Sequence, residues 1–423
     1  MTELNMNILH LESSGSWGGQ EYRTCLEVNW LNAHGHEAWL ICDPKSDVFP
    51  KAKQLGTRVR ARPLRRRIDP IASLRIWLFC RRHRIDLIKT YSSKDHWLCL
   101  PLFFCGMPVT RARCITDPLG NKNRAFIYKY GCAKIVADAQ VIKKQLVEQN
   151  GVCPEKVDVI GSGVNLTKFK PGRDGMKFRS EMGYSAETPI IANIGMIRSD
   201  KGQMKLMKAA LIVLQQRPEA RFIFVGQGTG DRRGEKKLRQ AIYDSRLENK
   251  IIMLGYRWDT ADILAAANMV VIASPSTEAS PIVLREAFAS GRPLVATKIG
   301  DIPEIVQDGE NGLVVEPGDS DALAGAILRF LSDEKLAARC ATNALRYARE
   351  HFCFDHMMRA KLAADSALCR RERPRAVRIA DVAPPTSSAR AELVSSDWRR
   401  VDRIDQLAEA PEVAAMRCQN KAR

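Results

Sequence analysis

The sequence predicts an α/β protein built from two doubly wound parallel-sheet, Rossmann-like domains that face a central cleft. Three observations carry this reading. Short apolar runs alternate with longer amphipathic stretches along most of the chain, the rhythm of strand-helix units in a parallel sheet. The 423 residues are too many for a single hydrophobic core and suit two. A polar stretch, Asn165 to Thr188, rich in Lys, Gly and Pro, interrupts that rhythm near the middle.

In the first half the expected strands are Met6 to Leu11, Glu37 to Cys42, Ile85 to Thr90, Pro108 to Arg113, Lys134 to Ala137 and Val157 to Ile160. Gln20 to Ala33 and Ala139 to Asn150 read as helices between them. In the second half strands are expected at Pro189 to Ile194, Arg221 to Val225, Lys250 to Leu254, Met269 to Ala273, Leu294 to Thr297 and Gly312 to Val315. Gly202 to Gln216, Asp259 to Ala267, Glu334 to Glu350 and Asp355 to Leu368 read as helices. The domains are placed at 1–170 and 171–350, with 351–369 a separate helical segment. From 370 to 423 the chain has little core material and reads as a disordered basic tail, with a short helix near Val401 to Ala410.

Composition excludes several classes. No run of about twenty apolar residues occurs, so no membrane-spanning helix is expected. The first residues lack a basic region followed by a long apolar one, which argues against secretion and for a cytoplasmic protein. Twelve cysteines are scattered without a Cys-x-x-Cys pair, which favours reduced thiols over a disulfide framework or structural zinc. The net charge of +18 is uneven: residues 51–84 hold twelve Lys or Arg and one acid, Asp69. Within them Leu74 to Arg84 combines apolar residues with a basic end, a composition that suits an anionic membrane surface. A helix packed on the sheet with its arginines in water explains the same letters. Nothing alternates aromatic and basic residues in the manner of a nucleic-acid binder.

The chemistry concentrates after the strand Met269 to Ala273. Ser280 is a good N-cap and Pro281 fits the first helical position, which places Glu278 in the loop over the strand end and Glu286 on the helix. The free amides near Ile282 and Val283, behind Ala279, form a positive helix end suited to a phosphate. A carboxylate beside a phosphate site is placed to accept hydrogen bonds from sugar hydroxyls, so the segment suggests a nucleotide-sugar pocket. Gly195 to Gly202 likewise leaves a strand and opens a helix, with Arg198 and Lys201 able to reach an anion above it. Fixed cations there would stabilise a departing diphosphate more than the bound donor. Gly18 and Gly19, in the loop after the first strand, let the backbone approach phosphate or sugar, although the loop is neither a Gly-x-Gly-x-x-Gly fingerprint nor a Walker loop. Gly226 and the run Gly255-Tyr256-Arg257 end two further strands. Asp319-Ser320-Asp321 precedes an apolar helix and reads as a cap rather than a metal motif, and His34-Gly35-His36 reads as a turn.

The stretch Glu278 to Glu286, continued as Glu-Ala-Phe-Ala-Ser-Gly-Arg-Pro, resembles the Glu-x7-Glu signature of the family-4 retaining glycosyltransferases (glycosyl transferases group 1) of GT-B fold. The resemblance covers about residues 6–368. Arg198 and Lys201 match the family's Arg-x-x-Lys-Gly phosphate motif, and Gly18-Gly19-Gln20-Glu21 its Gly-Gly-x-Glu loop. It implies that Arg198, Lys201 and Glu278 are catalytic and that Arg198 and Lys201 stabilise the diphosphate. Glu286 would bind ribose hydroxyls, and Glu278 with the backbone of Ala279 to Pro281 the donor sugar. Backbone near Tyr256 and Arg257 would hold the base, and the 351–369 helix would return to the N-terminal domain. It also implies transfer of a hexosyl group from a nucleoside-diphosphate sugar to a glycan or lipid-linked acceptor, in cell-envelope polysaccharide or lipopolysaccharide synthesis, without an obligatory metal. Where relatives often read Thr-His-Ser-Ser-x-Asp, this chain has Thr90-Tyr91-Ser92-Ser93-Lys94-Asp95. Where they read Arg-Thr-Arg-His it has Arg111-Ala112-Arg113-Cys114, so neither usual histidine is present. His96 either swings into the cleft or lies in a solvated turn. The departures keep two alternatives open: a catalytically silent nucleotide-sugar-binding relative, and a GT-B nucleotide-sugar epimerase.

Overall fold

The structure is a computed structural model that describes residues 5–64, 66–116, 119, 122–228, 232–276 and 278–372. It holds two all-parallel sheets. The first comprises β1 Asn7–Glu12, β2 Glu37–Cys42, β3 Val59–Ala61, β4 Leu87–Thr90, β5 Val109–Arg113, β6 Lys134–Ala137 and β7 Val157–Val159, in the order β3-β2-β1-β4-β5-β6-β7. The second comprises β8 Ile190–Ile194, β9 Arg221–Val225, β10 Ile251–Gly255, β11 Met269–Ile272, β12 Leu294–Thr297 and β13 Leu313–Val315, in the order β10-β9-β8-β11-β12-β13. The expected fold class is borne out, and every expected strand is present within two residues of its anticipated ends. β3 was not anticipated. It is three residues long, lies in the basic segment, and exists because Leu40, Ile41 and Cys42 offer it a free edge to pair with.

Most strands are buried on both sides, as parallel strands under two helical layers must be, and so read as plain apolar runs. Phe222, Val271, Val295 and Leu313 lie under one layer of the second sheet, and Val270, Ile272 and Leu294 under the other. Each such side chain contributes roughly 1.5–3 kcal/mol of transfer free energy.

The topology decides where a ligand can enter. In each sheet the chain first winds outward to one edge and then crosses back to wind the other way. β1 and β4 therefore flank one reversal point, and β8 and β11 the other. Crevices open at the carboxyl ends of such strand pairs. The loops after β1, β8 and β11 contain Gly18, Arg198 with Lys201, and Glu278, respectively.

The last helix, Phe354–Glu372, packs on the first sheet, with Met357, Met358, Leu362 and Cys369 joining Met6, Ile8 and Leu87 in one cluster. Polar contacts fix it: Lys361 Nζ meets Glu27 Oε1 at 2.6 Å in the interior, and Trp30 donates to the exposed Asp355 at 2.6 Å. The helix continues through residues 370–372 rather than giving way to a tail at 370. The rest of the expected tail, with the helix at Val401 to Ala410, lies outside the described residues. No helix among the described residues is long and apolar enough to cross a membrane, and all eleven described cysteines are free thiols.

Candidate active site

A cavity of about 370 Å³ lies between the two sheets. Gly18, Gly19, Gly195, Arg198, Lys201, Gly226, Tyr256, Arg257, Glu278, Ala279, Ser280, Pro281, Ile282, Val283 and Glu286 all line it. The structure thus gathers these fifteen residues around one space.

The helix at its base starts one residue later than the sequence suggests. It spans Ile282–Ala289, with extended Pro281 (φ −68°, ψ 121°) as its N-cap. Ser280 Oγ therefore caps nothing; it is buried and faces the Asp301 carboxylate instead. Ala279 O accepts from Asp301 N at 2.9 Å, tying the preceding loop to the segment after β12. The consequence is favourable for an anion: the first-turn amides of Ile282 and Val283 face no intrahelical acceptor.

Glu286 lies one turn in, 8 % exposed, and among the described residues nothing donates a hydrogen bond to its carboxylate. Burial pushes its pKa up to about 7, and the nearby Lys168 ammonium opposes the rise. A buried carboxylate without a donor is costly unless a ligand supplies one. Lys168 was hidden in the interdomain stretch; Asn165 Oδ1 accepts from the amides of Thr167 and Lys168 and turns the chain there.

Lys201 and Glu278 are partners. Lys201 Nζ donates to Glu278 Oε1 and Oε2 at 2.8 and 2.7 Å, and Ser274 Oγ donates to Oε2 at 2.7 Å. Each is placed by a glycine. Gly202 (φ 69°) ends the turn carrying Lys201, and a Cβ there would stand 1.8 Å from Ala273 O. Gly300 (φ 63°) backs the Glu278 loop, where a Cβ would stand 2.2 Å from Glu278 O. Arg198 is half exposed and bonds Asp200 at 2.9 Å. Arg257 is held by Glu181 and Asp259 through its guanidinium. Tyr256 OH accepts from Trp17 Nε1 at 2.9 Å, a bond between the two lobes that no sequence motif announced.

The N-terminal wall centres on Arg23, which donates to Asp138 Oδ2 at 2.6 Å, to Ser162 Oγ and to Cys114 Sγ. Burial raises the Cys114 thiol to about 12, so it stays protonated and acts as a partner of Arg23 rather than a base. Tyr91 does not line the cavity; its hydroxyl meets His10 Nδ1 at 2.7 Å and Glu27 Oε2 at 3.2 Å. His96 is neither in the cleft nor in a solvated turn. It sits on helix Ser93–Phe104, fully buried, with Nδ1 2.8 Å from Thr90 Oγ1, and burial lowers its pKa to about 3. No histidine lines the cavity. Asp319 caps its helix, accepting from Asp321 N and Ala322 N, and His34 closes the turn after Ala33. No cluster of His, Cys, Asp or Glu among the described residues is arranged to hold a metal ion.

Two family profiles match: "Glycosyltransferase Family 4" over residues 17–168 and "Glycosyl transferases group 1" over residues 177–347. Among curated proteins, the D-inositol 3-phosphate glycosyltransferase of Corynebacterium glutamicum (strain R) is 27% identical over 220 residues, 51% of this chain and 53% of that protein. The N-acetyl-alpha-D-glucosaminyl L-malate synthase of Bacillus anthracis is 27% identical over 43% of this chain and 46% of that one. The chain thus spans about half the length of the curated relatives it matches. Among solved structures, Anabaena HepE in complex with UDP-glucose superposes with a TM-score of 0.75 at 24% identity, over 86% of this chain and all of that one. Sucrose-phosphate synthase from Thermosynechococcus elongatus superposes with a TM-score of 0.72 at 19% identity, over 87% of this chain and all of that one. With both halves of the chain matched in order around a shared cavity, the protein belongs to the family-4 glycosyltransferases and has their GT-B fold.

Proposed function

We propose that the protein is a retaining glycosyltransferase that moves a hexosyl group from a nucleoside-diphosphate sugar to a glycan or lipid-linked acceptor in the synthesis of cell-envelope polysaccharide or lipopolysaccharide. One observation carries the donor half of this reading. Glu286, buried and without a donor, faces the same cavity as Arg198, Lys201 and the free amides of Ile282 and Val283. Carboxylate and anion site together fit a ribose beside a diphosphate, and HepE, which has this fold, was solved with UDP-glucose.

The residues of the wall support a reaction in which the leaving phosphate itself takes the acceptor proton. Histidine is absent from the cavity and Cys114 keeps its proton, so a base supplied by either is not part of the reaction. The sugar C1–O bond to the diphosphate breaks with its electron pair passing to the phosphate oxygen. The acceptor oxygen bonds C1 on the same face, and its proton goes to the departing phosphate. Charge grows on the diphosphate as the bond breaks. Lys201, Arg198 and the helix amides stabilise that charge without reorganising, which is the setting in which fixed donors accelerate a reaction most. Glu278, held by Lys201 and Ser274, then orients the donor sugar. No step needs a metal.

The test incubates the purified chain with UDP-, GDP- and ADP-sugars, in buffer with and without a chelator. Thermal shift identifies the donor. Slow release of free sugar, with the anomer resolved by NMR, reads the stereochemistry. Release of the retained anomer, unaffected by chelator, is expected. An inverted anomer or an epimerised donor sugar would refute the proposal, and a donor that binds without any release would mark a silent binding protein.

A further inference from the structure

We infer that the outer face of helix Pro70–Arg82 is a docking surface for an anionic lipid bilayer. This helix is apolar on two sides. Ala72, Ile76 and Cys80 point into the first sheet and are buried. Facing away from it, Ile71 is 63 % exposed, Leu74 54 % and Trp77 37 %, and Ile68 just ahead of the helix is 77 % exposed. The steps of three residues line them along one side of the helix. Four of the eleven exposed large hydrophobic residues among those described thus fall within one ten-residue stretch. A helix that only packs on its sheet has no reason to present such a stripe to water.

Charge identifies the occupant. Arg66, Arg67, Arg75, Arg81 and Arg82 are exposed around the stripe, and among the described residues no carboxylate pairs with any of them. Asp69 is used within the helix, its carboxylate accepting from Ala72 N at 2.9 Å. The Arg81 guanidinium lies 5.6 Å from the Trp77 ring centre. Beside the stripe a second cavity, of about 220 Å³, is lined by Ile71, Ile76 and Phe79 together with Arg62, Arg75 and Asp69. Apolar residues flanked by unpaired arginines, with a tryptophan at the border, match the boundary between acyl chains and anionic headgroups. A globular acidic partner would account for the cations but not for an isoleucine three-quarters exposed.

The experiment uses the full chain and no sugar, so its outcome is independent of the proposed transfer. Flotation is measured with vesicles of phosphatidylcholine alone and of phosphatidylcholine with phosphatidylglycerol. Binding to the anionic vesicles only, weakened by salt, is expected. Replacing Arg75, Arg81 and Arg82 together by Gln should weaken it on the order of a hundredfold. Leu74→Ser with Trp77→Ser should release the chain at a salt concentration the parent withstands, with an unchanged melting temperature because both residues are exposed. Equal binding to both vesicle types, or no binding to either, would overturn the inference. So would full binding by the arginine variant, which would move the contact to the basic segment after residue 372. A parent dimer that Leu74→Ser with Trp77→Ser dissociates would assign the face to a second copy of the chain and overturn it as well.

Discussion

Raising the pH from 6 to 8 should tighten donor binding about tenfold, and Glu286→Gln should abolish that dependence. The Glu286 carboxyl titrates near 7 because burial disfavours its charge, with Lys168 only partly offsetting the effect. A ribose diol donates two hydrogen bonds, which the ionised carboxylate accepts best, so binding selects the ionised form. With a pKa of about 7, roughly one molecule in eleven is ionised at pH 6 and about ten in eleven at pH 8. Affinity should scale with that fraction and level off above pH 8. Stability without ligand should run the opposite way. A carboxyl raised from its ordinary value of 4.5 to about 7 favours the folded state below 4.5, and that advantage is lost as the pH rises to 7. The lost advantage is about 3 kcal/mol at 1.36 kcal/mol per unit. Calorimetric titration with an intact nucleotide sugar, whose pyrophosphate diester does not titrate in this range, reads the affinity. A flat profile in the parent, or an unchanged slope in Glu286→Gln, would refute the reasoning.

Lys201→Ala should lower the transfer rate about 10²–10³-fold as one fixed donor is lost to the leaving group. Because Lys201 and Glu278 bond each other, the double variant with Glu278→Gln should lose less than the product of the two single effects. A full rate in Lys201→Ala, together with a large gain in Cys114→His, would show that the missing histidine matters more than the cations. Lys361→Met leaves Glu27 short of its closest cation and should cost about 3–5 kcal/mol in urea unfolding; a loss under about 1 kcal/mol would mean that this ion pair does not hold the last helix. Gly202→Ala, forced to φ 69° with its Cβ against Ala273 O, should destabilise by at least about 2 kcal/mol and depress activity through Lys201, with melting temperature and rate as readouts.

The sequence alone determined what is local. Strands buried on both faces must be apolar throughout, so all but β3 announce themselves, and their alternation with helices implies parallel sheets. Spacing after two strand ends likewise put Glu278 in a loop, Glu286 on the helix that follows, and Arg198 and Lys201 at the start of another helix. What only the tertiary structure decided depends on partners distant along the chain. Lys201 and Glu278 are 77 residues apart and bond each other. The Lys168 charge acts on Glu286 from the polar stretch between the lobes. Trp17 and Tyr256 join across 239 residues. From the sequence His96 reads as a cleft residue or a residue of a solvated turn, yet Ser92 caps a helix whose inner face carries that ring into the core. β3 has too few apolar residues to signal a strand and owes its conformation to the edge of β2. Periodicity records which side of an element is buried; which residue waits on the other side is set by how the layers pack, and no window of sequence contains both.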